Sequence, residues 1–344
     1  MNPNKQNPDF LHIGKLLTDW FSENGRDFPF RKTQNPYNIW ICEIIFQQTR
    51  IEQGIRHYNN FIRRFPNVKE LANAQNDDVL LYWKGLGYYS RAINLHQAAK
   101  QIMEDYGGNF PAEYSEMLKL KGIGKYTAAA IASISFGKKI PAVDGNFYRV
   151  LSRLFADSFD ISNPKAFPHF SDIALKMMPD ENPGAFNEAV MDLGSEICKP
   201  RNPLCEMCPL QNHCRAFQQG GVHDFPVKTG KTKISDLSLR YYYICHKNNF
   251  LIRQRGKKDI WKNLYEFPVE LINGQNFEEK DSTILKHKLT HRNLTITIDT
   301  VEIPETEEFK RYAADHNLEI CNYQKSLLKS FPKPLQNFIE LQHL

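Results

Sequence analysis

Four of the chain's seven cysteines fall within seventeen residues, at Cys198, Cys205, Cys208 and Cys214. The spacing is C-x6-C-x2-C-x5-C, and it constrains the fold more than any other stretch, because four thiolates in one short loop call for a common centre. Such a set can bind tetrahedral zinc or a 4Fe-4S cluster. Zinc ribbons show two C-x2-C knuckles separated by about a dozen residues or more. Here there is one close pair and a single compact loop, which favours the cubane. Four unrelated buried thiols would have no reason to cluster. A disulfide framework is disfavoured, because the opening MNPNKQNPDF lacks the basic-then-apolar pattern of a secretory signal. The sequence shows no run of about 18 apolar residues. These features predict a cytoplasmic, nucleoid-associated protein with no membrane partner. Cys42, Cys245 and Cys321 stand alone and read as small buried hydrophobes.

With 344 residues, the chain is too long for one ordinary core. Up to Phe217 its apolar residues recur at helical steps: Phe10, Ile13, Leu17, Trp20 and Phe21 in one stripe, Ile51, Ile55, Tyr58 and Ile62 in another. Past the cysteines, Gly220–Ile234 has glycines, a proline and Lys228, Lys231 and Lys233 but little apolar patterning, and reads as a linker. Beyond it Tyr241, Tyr243 and Cys245 alternate, KNN turns, and FLIRQR returns as a hairpin. Leu294, Ile296 and Ile298 then alternate with threonines, and LQNFIELQHL closes as a helix. The predicted organisation is a mainly α domain over 1–217, a linker over 218–236, and an α+β domain over 237–344.

Three features carry chemistry. SEMLKLKGIGKYTAAAIASISFG reads as helix, tight turn, helix; Gly122 and Gly124 expose amides at the second helix's start, suited to a DNA phosphate, and Ile123 pins the turn to the core. In PAVDGNFYRVLSRLF, Asp144 precedes an amphipathic helix, whose N-terminus is expected to lower its pKa and keep it ionised. Lys199 and Arg201 lie in the widest gap of the cysteine loop, where a fixed centre would hold them toward a phosphate backbone. The net charge of +5 is compatible with a polyanion without demanding one.

LKGIGKYTAAAI, PAVDGN and the cysteine spacing, in that order, resemble the iron–sulfur members of the helix–hairpin–helix DNA glycosylase superfamily over at least residues 30–215. Within it, W-x-x-E-x-x-x-Q-Q-T from Trp40, GLGYYSRA from Gly85 and FNEAVMDLGSEIC from Phe186 resemble the adenine glycosylases of the MutY branch. The bifunctional endonuclease III type needs a lysine two positions after the second hairpin glycine; that position is Tyr126. Lys125 is adjacent, but one residue on a helix turns a side chain by about 100°. Where the family has L-P-W-R, this chain has FPFR, with Phe30 for tryptophan and Arg31 kept. IWKNLYEFP and HKLTH resemble the MutT/Nudix-like domain that such enzymes use to read 8-oxoguanine, with Leu289-Thr290-His291 where F-S-H is usual. VELINGQNFEEK lacks the glutamate-rich box of a Nudix hydrolase, so this half reads as a binding module.

The resemblance implies a monofunctional glycosylase acting, as a monomer, on adenine opposite 8-oxoguanine or guanine in duplex DNA. Glu43, set among apolar residues, is the candidate acid; a desolvated carboxyl is raised toward neutrality. Asp144 is the candidate stabiliser of the sugar cation, with Tyr126 and Asn146 beside them. Arg31 and Glu188 are candidate adenine contacts. Gln48, Thr49 and Tyr88 are expected at the opened duplex, and Thr290 and His291 at the oxidised base. The rivals are an endonuclease III-like glycosylase/lyase and a non-enzymatic iron–sulfur DNA-binding protein.

Overall fold

The structure, a computed structural model, describes residues 9–230, 234–256, 260–272 and 277–343. Expectations resting on residues 1–8, on Lys231 and Lys233, or on 273–276 lie outside the described residues. The chain divides into two compact units: Met1–Asn73 with Gln97–Gly230, and Ala74–His96 with Lys231–Leu344. Among the described residues no helix is long and apolar enough to cross a membrane.

The first unit is helical. Asp9 caps α1 (Phe10–Asn24) by accepting from the His12 amide at 3.0 Å. α2 (Pro36–Phe46) starts with Asn35 as cap and Pro36 at its first position. α3 (Ile51–Arg64) is amphipathic, but its buried face is Gly54, Tyr58 and Phe61; Ile51, Ile55 and Ile62 are only half-buried. The expected stripe is rotated because α2 presses there: a Cβ on Gly54 would lie 2.3 Å from the Phe46 ring. α4 (Val68–Asn73) follows. α5 (Asn76–Tyr82) and the start of α6 (Ser90–Tyr106) belong to the second unit.

The predicted helix–hairpin–helix is present with a first helix of one turn, α7 (Tyr114–Met117), not a full helix. Gly122 holds φ +77° and Ile123 is 5 % exposed. α8 (Lys125–Phe136) then runs to Gly137, left-handed at φ +62°. Ala128–Ala132 of α8 are wholly buried, and small side chains let α2 and α11 (Pro183–Asp192) approach closely. Asn187 of α11, fully buried, fixes this corner. Its amide donates to Ser133 Oγ at 2.8 Å and Ile140 O at 3.0 Å, and accepts from Ala142 N at 3.0 Å. α9 (Gly145–Phe155) buries Phe147, Val150, Leu151 and Leu154 against α1, α10 (Ala166–Met177) and α11; each such side chain contributes about 1.5–3 kcal/mol. A turn of π-helix, Leu193–Ile197, leads to the cysteines, and α12 (Arg215–Gln218) follows them. The segment expected as linker lies against this unit as far as Gly230: Ile161 N donates to Val227 O at 3.0 Å and Gly230 N to Ser162 Oγ at 3.0 Å.

The second unit is built on a six-stranded sheet, ordered β3-β2-β1-β5-β4 with β6 also on β2. β1 (Ser235–His246) and β2 (Asn249–Gln254) form the expected antiparallel hairpin; β3 (Tyr265–Glu266) extends β2. β4 (Glu278–Lys288) pairs antiparallel with β5 (Arg292–Glu302), and β5 runs parallel to β1. The alternation was legible: Leu294, Ile296 and Ile298 are buried with Tyr241 and Tyr243 under the closing helix α15 (Lys333–Gln342). The opposite face, with Ile244 and Val301, is covered by α13 (Thr306–Asp315), which precedes β6 (Glu319–Asn322) and α14 (Tyr323–Leu327). Among the described residues no helix lies between β3 and β4.

Candidate active site

α2 is apolar almost all round, with Ile41, Cys42, Ile44 and Ile45 buried. Glu43 is the exception, and it opens into a cavity of about 530 Å³ lined also by Arg31, Tyr126, Asp144, Glu188 and Met191. Burial pushes the Glu43 carboxyl up to about 7, with help from the negative charges of Glu188 and Asp144. Its hydrogen bond with Tyr126 and the charge of Arg31 pull the other way. Glu43 is therefore an acid that holds a proton near neutral pH. The Tyr126 hydroxyl also contacts Met191 Sδ at 3.4 Å. Lys125 turns away: its Nζ lies 4.8 Å from the Phe167 ring centroid.

Asp144 caps α9. One oxygen accepts from the amides of Asn146 at 2.8 Å and Phe147 at 2.9 Å; the other accepts from Asn146 Nδ2 at 2.9 Å. The expectation that the helix N-terminus lowers its pKa is corrected: burial outweighs these donors and the nearby Arg149, and the net direction is upward. The donors still favour the ionised form, so the two carboxyls differ in kind, one desolvated and one held by three N–H groups. Asn146 is fixed in turn by Arg149, whose Nη2 donates to its Oδ1 at 2.6 Å.

Arg31 and Glu188 meet on the cavity wall, Nε to Oε1 at 3.1 Å. The rest of the guanidinium is committed to Asp192, through Nη1 to Oδ2 at 2.7 Å and Nη2 to Oδ1 at 2.8 Å. Arg26 joins from the other side, Nη2 to Asp192 Oδ1 at 2.5 Å. Arg31 is thus tied in place, and Glu188, its carboxyl also raised by burial, is the freer polar group of the pair. Phe30 packs on Phe28, Phe46 and Tyr58 with centroids 5.0, 4.9 and 5.8 Å away, filling the place of the larger aromatic.

Of the residues expected on DNA, Gly122 and Gly124 are exposed, and a Cβ on Gly124 would meet nothing within 4 Å. α8 has no side-chain cap, so its first amides face outward at the positive end of the helix dipole. Arg201 is exposed, Lys199 half-buried, and Thr49 half-buried beside an exposed Gln48. Gln48 and, in the second unit, Tyr88 both hold left-handed backbones, φ +57° and +46°, a strain of about 1–3 kcal/mol that clusters at working sites. Leu289 packs against the second unit's core, while Thr290 and His291 stand exposed at the β4–β5 tip. Tyr88 OH lies 2.8 Å from Thr290 Oγ1.

Cys198, Cys205, Cys208 and Cys214 line one small cavity of about 30 Å³ with Arg153 and Ile197, all as free thiols. Among the described residues no three His, Cys, Asp or Glu side chains converge on a single-ion site. Four thiols lining one shared space fit a cluster held by four thiolates. Arg153, buried, donates to Lys199 O at 2.8 Å and lies 3.4 Å from Cys198 Sγ. Arg149 Nε donates to Cys198 O at 2.7 Å and its Nη2 to Gly194 O at 2.7 Å. One helix thus carries Asp144 at its start and two arginines that fasten the cysteine loop.

Sequence reasoning missed Arg149, Arg153, Asp192 and Arg26. Their signals were there: two arginines four apart on α9, and Asp192 four after Glu188. Neither spacing reveals its partner, because those partners lie 45 or more residues away in sequence.

The geometry agrees with the comparisons to known proteins. Residues 41–171 match the HhH-GPD superfamily of base excision DNA repair proteins, 198–214 the iron–sulfur binding domain of endonuclease III, and 240–341 the NUDIX domain. The chain is 34 % identical over 343 residues to the adenine DNA glycosylase of Buchnera aphidicola subsp. Schizaphis graminum, covering 96 % of this chain and 98 % of that one. It is 38 % identical over 216 residues to the human adenine DNA glycosylase, 60 % of this chain and 39 % of that one. Among solved structures, a thermostable thymine-DNA glycosylase is similar with TM-score 0.58, 29 % identity and coverage of 63 % of this chain and all of that one. An endonuclease III–DNA complex shares the fold at TM-score 0.53 and 21 % identity, over 61 % of this chain and 97 % of that one.

Proposed function

The chain belongs to the adenine DNA glycosylase family, enzymes of base excision repair, and on that premise we propose that it hydrolyses the N-glycosidic bond of adenine mispaired with 8-oxoguanine or guanine, as a monomeric, monofunctional enzyme of the nucleoid. The observation that carries the reading is the pair of carboxyls on one cavity, Glu43 raised to about 7 and Asp144 held by three N–H donors. Base flipping delivers the adenine to such a cavity at a cost of a few kcal/mol, less for a mispair.

Glu43, protonated, donates to a ring nitrogen of the adenine imidazole and turns the base into a neutral leaving group. As the bond breaks, positive charge develops on the sugar, and Asp144, ionised, stabilises it by charge or by a transient covalent bond to the anomeric carbon; water then attacks that carbon, releasing Asp144 as a carboxylate and passing its proton to the Glu43 carboxylate. Asn146 holds the Asp144 carboxylate and leaves one face for the sugar; Tyr126 orients Glu43. Glu188, braced by Arg31, takes the adenine edge. Gly122, Gly124, Lys199 and Arg201 hold phosphates, and Gln48 with Thr49 supports the opened duplex. The iron–sulfur cluster, bound by the four cysteines, supplies a rigid frame for Lys199 and Arg201. The first domain ends near Phe217 and residues 237–344 form the lesion-reading domain, where Thr290 and His291 meet the oxidised base.

Single-turnover release of free adenine from an A:8-oxoguanine duplex tests this. The wild type should release adenine and leave an abasic site that breaks only on alkali, and Glu43→Gln and Asp144→Asn should each lose at least about a hundredfold. Borohydride trapping of protein on the DNA, or no adenine release with the cluster intact, would overturn it.

A further inference from the structure

Glu43 is served by a tyrosine whose hydroxyl has two acceptors within reach. The Tyr126 hydroxyl donates to Met191 Sδ at 3.4 Å, and it also hydrogen-bonds the Glu43 carboxyl. Burial and the charges of Glu43 and Asp144 push it well above the ordinary tyrosine range, so it keeps its proton. Met191 is set for this contact by α11. It follows Glu188 by three residues and Asn187 by four, on one face of the helix. Asn187 ties that face to α8 and the loop after it through Ser133 Oγ, Ile140 O and Ala142 N. Half-buried, Met191 packs with Tyr126 against Ala129, Ala130 and Ala142 and lines the cavity. The other titratable or charged groups facing Glu43 across that cavity are Asp144, Glu188, Arg31 and Arg26, with Cys42 beside it on α2.

A tyrosine hydroxyl carries one proton, and a thioether sulfur is a weak acceptor. A carboxylate is a strong one, its hydrogen bonds roughly twice as strong as those between neutral groups. While Glu43 is protonated, the sulfur is able to hold the Tyr126 proton. Once Glu43 has given its own proton to the base, the carboxylate outcompetes the sulfur. An acceptor that competes only against the protonated acid stabilises that state, and so keeps Glu43 protonated to higher pH.

We propose that Met191 is a positioning residue for the catalytic acid: its thioether holds the Tyr126 proton while Glu43 is protonated and yields it to the carboxylate that proton transfer to adenine leaves behind. No bond to sulfur is made or broken; one hydrogen bond is exchanged for another. This deepens the adenine-release reading above and rests on it.

The test is the pH profile of single-turnover adenine release from an A:8-oxoguanine duplex for the wild type, Met191→Leu, Tyr126→Phe and the double variant. Leucine keeps the volume and removes the acceptor. Its alkaline limb should move down by about half a pH unit, a roughly threefold stronger acid, the worth of one weak hydrogen bond. Tyr126→Phe takes the donor from the Glu43 carboxylate and should move the limb up. Adding Met191→Leu to Tyr126→Phe should move it no further, because the thioether acts only through the hydroxyl. Met191→Ile, of similar size, repeats the measurement should the leucine variant lose the cluster's visible absorbance. An alkaline limb that stays in place without the thioether, as a packing role alone gives, or that moves equally with and without the Tyr126 hydroxyl, overturns the proposal. A wild type that releases no adenine, or has no alkaline limb, overturns the reading of Glu43 as the acid of an adenine glycosylase, and this inference with it.

Discussion

Glu43 is held in a place that suits chemistry better than stability. Its carboxyl is raised to about 7 from an ordinary 4.5, so folding favours the protonated form. A raised carboxyl costs nothing below its unfolded pKa, progressively more between the unfolded and folded values, and a constant amount above the folded one. Relative to the wild type, Glu43→Gln should therefore keep a constant offset below about pH 4, gain stability between about pH 4.5 and 7, and level off at a further ~3 kcal/mol above that. Apparent melting midpoints across that range check it, and a constant difference would contradict it. The direction of this shift was legible in the sequence, because Ile41, Cys42, Ile44 and Ile45 surround the glutamate. That of Asp144 was not: its capping role follows from PAVDGN, but the burial that outweighs the cap comes from distant segments. Arg31 likewise revealed itself by its motif and hid its partner, since Asp192 lies 161 residues away.

At the scale of elements, α9 and the π turn work together. Gly194 lies so close to the site that a Cβ there would sit 2.7 Å from Asn146 Cβ and 2.9 Å from its Oδ1. Gly194→Ala should displace Asn146 from Asp144 and slow adenine release at least about tenfold, while the cluster's visible absorbance persists; an unchanged rate would show that Asn146 does not position Asp144. Asn187→Ala removes partners from Ser133 Oγ, Ile140 O and Ala142 N together, and should cost roughly 2–4 kcal/mol, read by chemical denaturation. The alternation in β5 and the stop of α8 at Gly137 could be read directly, because they depend on local geometry. The buried face of α3 could not: it is set by Phe46 across Gly54, not by which of its own residues are most apolar. The one-turn α7 escaped for a similar reason, as Met117 and Leu120 suit a helix or a turn equally.

For the whole molecule, a net charge of only +5 means that DNA affinity depends on where cations stand rather than how many there are. Replacing Lys199 and Arg201 with alanine should flatten the dependence of log affinity on log salt by about 2, close to 0.9 per phosphate contact, on matched and mispaired duplexes alike. An unchanged slope would remove that loop from the interface. The division into a helical glycosylase half and a sheet-based half was visible from the change of period near the cysteines. The grouping of Ala74–His96 with the C-terminal strands was not, since nothing in GLGYYSRA records that Tyr88 meets Thr290. In the proposed mechanism the central event is the transfer of one proton to adenine, and the pH profile of single-turnover release measures that transfer most directly. If Glu43 is the acid, with its carboxyl at about 7, the rate should hold steady up to about pH 6 and fall toward tenfold per unit above about pH 8. That alkaline limb should be absent in Glu43→Gln. A wild-type rate that is flat or rising through pH 7 to 9 would contradict the account.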